Sequence, residues 1–362
     1  MQFLVLISTF FVFPNPWIYP STSFTGLSEE KISVSISDDS PQLPQIKMNE
    51  GMAAVEKNSK WGFVNKKGVL KIEQRFDEVR DFSEGVAAVR MADKWGFINK
   101  QGKLIIEPQY DDVTNFSEKR TFVKQYGIWG IITKRNKVVA RPQFETVGQF
   151  REKLARISVD GKAGFVNRKG KVVIELAFED VKDFANGMAA VKVANKRWGF
   201  INKSGDMVIP AIYEETDEFS SSGCAVKWGN KWGVINQAGE VTAYNNYDDL
   251  KFTSYGFFVA NINQKAGLID ALGEAITPLK YDQIHEFVDG MARVSIGEKT
   301  GFINSFGKEE IPLIYQQATS FVNGKAFVLL EGKSGFIEKN STVLFNEMKP
   351  FDKEKSAVAA RR

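Results

Sequence analysis

Residues 94–118 read KWGFINKQGKLIIEPQYDDVTNFSE, and variants of this stretch recur from about residue 48 to residue 349. The Gly that follows the Trp serves as a ruler, at Gly62, Gly96, Gly130, Gly164, Gly199, Gly233, Gly267, Gly301 and Gly335. Successive steps are 34 residues, with a single step of 35 between Gly164 and Gly199. A fixed period of this size means supersecondary units that stack or are arranged radially, each too small to bury a core alone.

Other features keep the same step. An aromatic lies 15 residues after the anchor Trp position, as in Phe76, Tyr110, Phe144 and Tyr213, and an acid follows most of them, as in Asp77, Asp111, Glu145 and Glu214. A second Phe recurs near offset 21, as in Phe82, Phe116, Phe150 and Phe184. Between anchor and aromatic lies a turn, Asn65-Lys-Lys-Gly68 in one copy and Asn99-Lys-Gln-Gly102 in the next. Asn at the first position and Gly at the fourth mark a type I turn closed by a left-handed residue, which makes a short bulged hairpin. The third copy has Asn136 in place of the Gly, and Asn tolerates that conformation best after Gly. The seventh opens its turn with Asp270.

The flanks are short, aromatic or β-branched, and bounded by turn residues, so they predict strands. Trp95 and Phe97 share one strand face by alternation. A third strand precedes each anchor, as in Gly85-Val-Ala-Ala-Val-Arg90. No stretch of the repeats carries a sustained helical stripe.

These motifs resemble the WG (also called KWG) repeat family across roughly residues 48 to 350. The resemblance implies a β-rich tandem repeat, mostly bacterial members and poorly defined ligands. The chain departs from the pattern where the Trp becomes Ala163, Ala266, Thr300 and Ser334, and where Ile128 replaces the preceding Lys. The last copy decays into Glu338-Lys-Asn-Ser341, as suits a capping repeat.

The fold expected is therefore all-β: tandem hairpin repeats of ~34 residues on nine anchors. An open β-solenoid or superhelix is favoured over a closed, propeller-like array, because propeller blades run to about 40 residues or more with four strands. The chain divides into an export-signal-like leader (1–23), a polar linker (24–47), the repeat array (48–349) and a flexible tail (350–362). The leader rests on the apolar run from Phe3 to Phe13, too short to span a bilayer as a helix. It has no Lys or Arg before Lys31. A secreted, periplasmic or cell-envelope location follows, with a cytoplasmic one as the alternative.

Composition excludes little. The chain has 48 basic and 44 acidic residues, a balance that gives no case for nucleic acid. The single Cys, Cys224, stands where other copies have Ala and predicts a small buried strand residue. The single His, His285, occupies a variable polar position. One Cys and one His are too few for the usual zinc clusters, so no metal and no cofactor is expected. Ser/His/Asp and Cys/His catalysis both need that His beside a nucleophile. The recurrent Lys60, Lys94, Lys231 and Lys265 and the recurrent acids predict solvated edges that pair between units.

The binding candidates are the five anchor Trp residues, Trp61, Trp95, Trp129, Trp198 and Trp232. They either pack between units or form an aromatic row that stacks on sugars or clasps a peptide. The function expected is a non-enzymatic scaffold, monomeric and without a transmembrane span, whose partner is a protein. The alternatives are a cell-envelope glycan held by the Trp row and, last, a polysaccharide hydrolase running on paired carboxylates.

Overall fold

The computed structural model describes residues 48–322, 324–339 and 349–350. The leader, the linker and the tail beyond Pro350 lie outside the described residues. Among the described residues the chain forms nine antiparallel sheets and no helix, so no helix is long and apolar enough to cross a membrane.

The first sheet has three strands, β1 (Met52–Lys57), β2 (Lys60–Asn65) and β3 (Leu70–Phe76). The second adds a fourth, running in order β4 (Glu78–Val79), β5 (Val86–Met91), β6 (Lys94–Asn99) and β7 (Leu104–Tyr110). The third repeats that order with β8 (Asp112–Val113), β9 (Arg120–Gln125), β10 (Ile128–Thr133) and β11 (Val138–Phe144). Six further four-stranded sheets follow, the ninth completed by Lys349–Pro350.

The expected hairpin is thus part of a four-stranded meander. The extra strand follows the repeated aromatic and acid and is only two residues long in most sheets, so it carries no periodic signal. Four-stranded antiparallel sheets in strict succession are the units from which propellers are built. Among the described residues no strand pairing joins the first sheet to the ninth.

The anchor Gly is fixed by a bulge. Trp95 pairs with Tyr110 and Phe97 with Ile106, so Gly96 alone faces three residues of β7. The turn after β6 forms as its sequence dictates. Gly102 N–H donates to the Asn99 carbonyl at 2.9 Å, and Asn99 Oδ1 accepts from the Gln101 and Lys103 amides at 3.0 Å. Gly102 has φ +77° and Asn136 +57°, the left-handed geometry expected of both.

The core lies between sheets. Phe97 of β6 meets Phe116, which belongs to the third sheet, edge to face at 4.9 Å. Phe63–Phe82, Phe165–Phe184, Phe200–Phe219 and Phe302–Phe321 repeat the contact at 4.7–4.9 Å. The two periodic Phe positions of one motif therefore sit in neighbouring sheets and lock them together. Cys224 is fully buried, as its alignment with Ala predicts, and burial pushes its thiol up to about 12.

Polar clasps add to this. Lys94 Nζ reaches Asp111 at 2.6 Å, and Asp111 also accepts from the Tyr126 amide of the next sheet at 2.8 Å. Lys60–Asp77 and Lys265–Asp282 repeat it at 2.5 Å. A second clasp escaped the sequence reading: Glu84, at φ 51°, accepts from the Lys119 amide one sheet on and pairs with Lys134 at 3.1 Å. Glu50, Glu118 and Glu152 do the same with Gly85, Lys153 and Gly187.

Candidate functional site

A cleft of about 520 Å³ opens between the second and third sheets and is lined by Glu78, Arg80, Trp95, Asp111, Asp112, Lys124 and Gly127. Its side chains are placed by the repeat. Glu78 and Asp112 lie on the short strands β4 and β8, and Trp95 begins β6. Arg80 crosses the gap. It donates to the Val113 carbonyl and to Asp112 Oδ1, the latter at 2.8 Å, while its guanidinium lies 4.7 Å over the Trp95 ring.

Lys94 beside Asp111 and the Tyr126 N–H hold the Asp111 carboxyl below the usual carboxylate range, and the same contact raises the Lys94 ammonium. A carboxylate so held suits an electrostatic anchor, since it does not readily take a proton. The cleft as a whole presents fixed charges of both signs around the edge of one indole.

The structure does not bring the five Trp residues together at one site; it places one in each of five sheets. Trp95 and Trp198 are buried, at 6% and 8% exposure, while Trp61, Trp129 and Trp232 are half-buried and pack against three different core clusters. Cations cover the rings: Lys124 lies 5.6 Å from Trp129, Lys182 and Lys192 each 5.7 Å from Trp198, and Lys227 5.9 Å from Trp232. Four of the five indoles, all but Trp61, thus lie beneath a cation, and of the five only Trp95 lines the cleft. Lys124 and Asp112 were not singled out in the sequence; their signal is the recurrence in several copies of an acid after the aromatic-acid pair, as at Glu78, Asp112 and Asp180, and of a Lys or Arg before the hairpin, as at Arg90, Lys124 and Lys192.

A second, smaller cleft of about 260 Å³ includes Phe252, His285 and Phe287. His285 Nε2 lies 3.0 Å from Arg293 Nη2. Here the short strands are lengthened, to Asp249–Phe252 and Gln283–Val288. Among the described residues no group of three His, Cys, Asp or Glu side chains is placed to hold a metal ion.

No curated protein matches the sequence. Among solved structures, the chain is similar to the crystal structure of the eukaryotic initiation factor, with 11% identity and a TM-score of 0.53 over 82% of this chain and 95% of that one. BamB from Moraxella catarrhalis matches at 10% identity and a TM-score of 0.37, over 69% and 90%. At these identities the first likeness concerns the fold alone. The WG containing repeat matches nine segments that run from residue 47 to residue 333, so the chain belongs to the WG-repeat family.

Proposed function

We propose that the array is a non-catalytic binding scaffold whose partner is a protein. The observation that carries this reading is the mixed charge of the cleft at Trp95, where Glu78, Asp111 and Asp112 face Arg80 and Lys124. A polypeptide bearing both signs complements such a surface; a uniform polyanion meets repulsion there. A photo-crosslinking residue at Glu78 tests it, with the exposed Glu107 as control. One discrete protein adduct is expected at residue 78 and none at residue 107. With the crosslinker kept at residue 78, the double reversal Asp112→Lys with Lys124→Glu should abolish it. Equal labelling at both positions sinks the reading.

A second reading, glycan stacking on the Trp row, is favoured by the half-exposed Trp61, Trp129 and Trp232. A sugar must there displace the cation over each ring of Trp129 and Trp232. Titration with cell-envelope polysaccharides should shift Trp fluorescence under this reading; blue, unquenched and unresponsive emission removes it.

A further inference from the structure

The hairpin turns between the second and third long strands of each sheet form a row at the opposite end of β6 from the Trp95 cleft. Each turn rests on the third long strand of the sheet before it. The Gly102 turn rests on Ile72 of the preceding sheet, Gly205 on Ile174 and Gly239 on Ile209. The position directly after the turn Gly therefore recurs along one edge of the array. In the second to fourth copies it is Lys103, Lys137 and Lys171; in the fifth to seventh it is Asp206, Glu240 and Glu274. All six are exposed, and none is in an ion pair among the described residues. This sets them apart from periodic charges such as Lys94, Asp111 and Glu84, which pair in the clasps. Asp206 and Glu240 accept a side-chain amide from Asn202 and Asn236, which leaves their charge uncompensated.

The next position along is apolar, exposed at Val138 (56%), Val172 (38%), Met207 (44%) and Val241 (44%) and half-buried at Leu104. From the second copy to the seventh the edge is thus an apolar line flanked by three cations and then three anions, with Val69 of the first copy and the exposed Lys308 of the eighth at the two ends of this block. Such a row is its own complement. A two-fold axis between the fourth and fifth sheets brings Lys171 opposite Asp206 of a second copy, Lys137 opposite Glu240 and Lys103 opposite Glu274. The same operation lays one apolar line on the other. An isologous contact requires this reciprocity, in which each residue meets the partner of its own partner.

We propose that this row of turns is a self-association surface and that its occupant is a second copy of the chain. The sequence analysis expects a monomer; the near balance of 48 basic and 44 acidic residues hides the segregation of signs along this edge. An anionic polymer or lipid surface fits only the lysine half and is repelled by the acidic half. This surface is separate from the Trp95 cleft, so the proposal stands or falls apart from the binding function above.

Sedimentation equilibrium of the full chain tests it, with two triple variants, K103E/K137E/K171E and D206K/E240K/E274K. The wild type is expected to dimerise at low salt and to weaken as salt rises. Each triple variant alone should associate at least roughly tenfold more weakly, since like charges then face each other. Mixing the two variants should restore a heterodimer, because an all-acidic row then meets an all-basic one. Circular dichroism checks that both variants fold. If a triple variant does not, the single pair Lys137→Glu and Glu240→Lys repeats the mixing test. The proposal is overturned by a wild type monomeric at about 100 µM and low salt, by triple variants that dimerise as before, or by a mixture that stays monomeric. A monomeric wild type that binds dextran sulfate through its lysines also overturns it, in favour of a polyanion.

Discussion

At Gly96 a methyl group would sit 2.5 Å from the Ile106 carbonyl oxygen and 2.7 Å from the Pro108 nitrogen, both backbone atoms that a side-chain rotation cannot move. Gly130, Gly199 and Gly301 face the same crowding. This explains why the anchor Gly persists where its Trp gives way to Ala163 or Ala266. Gly96→Ala should therefore destabilise by ~3 kcal/mol through forced backbone shifts, as read from urea unfolding. Trp95→Ala should cost about 3–5 kcal/mol, because it empties a buried site, and the half-buried Trp129 should cost less. The Cys224 thiol, held up by burial, should resist a thiol reagent at pH 8 until the chain unfolds. Fast labelling of the native protein would contradict its placement.

Between elements, the acid after each aromatic ties one sheet to the next. Lys60, Lys94, Lys231 and Lys265 lower the carboxyls of Asp77, Asp111, Asp248 and Asp282, each with a backbone N–H contributing as well. The sign follows from linkage. A carboxyl depressed in the folded state contributes stability above its unfolded value, ordinarily 3.8, and loses it as pH falls toward the lower folded value. The melting temperature should thus hold from neutrality to about pH 4 and fall below it. Asp111→Asn should flatten that fall and lower the neutral value by the same amount, a small one since the group is exposed. An unaltered acid limb would show that these clasps contribute nothing. Both partners of this clasp were legible as periodic charges. The Glu84 clasp was not, because it depends on a left-handed Glu and an amide one sheet away, and sequence spacing does not report backbone direction.

The molecule as a whole is a series of sheets whose cores lie at the joints. The aromatic joints are made by adjacent sheets, as with Phe97 and Phe116, while the Arg151–Glu218 pair at 2.9 Å reaches past one intervening sheet, so stability approximates a sum over units and interfaces. A chain ending at Val322 removes most of the ninth sheet and should leave the rest folded. Its urea m-value should fall by roughly a tenth, because m scales with the surface exposed. Complete unfolding on that truncation would mean the array is one indivisible unit.

The sequence by itself determined the repeat, its nine anchors, the all-β class, the Asn-x-x-Gly turn and the burial of Cys224. Each of these is local or periodic, and periodicity is visible in one dimension. The two-residue strands, the bulge opposite Gly96 and the cations lying over the indoles were decided only in the tertiary structure. Strand pairing and ring faces depend on how a residue meets one in another strand or sheet. The exposure of the anchor Trp residues belongs with these. Spacing gives their row, while the core each ring packs against and, for all but Trp61, an Arg or Lys of the same sheet decide how much of the ring is left to solvent.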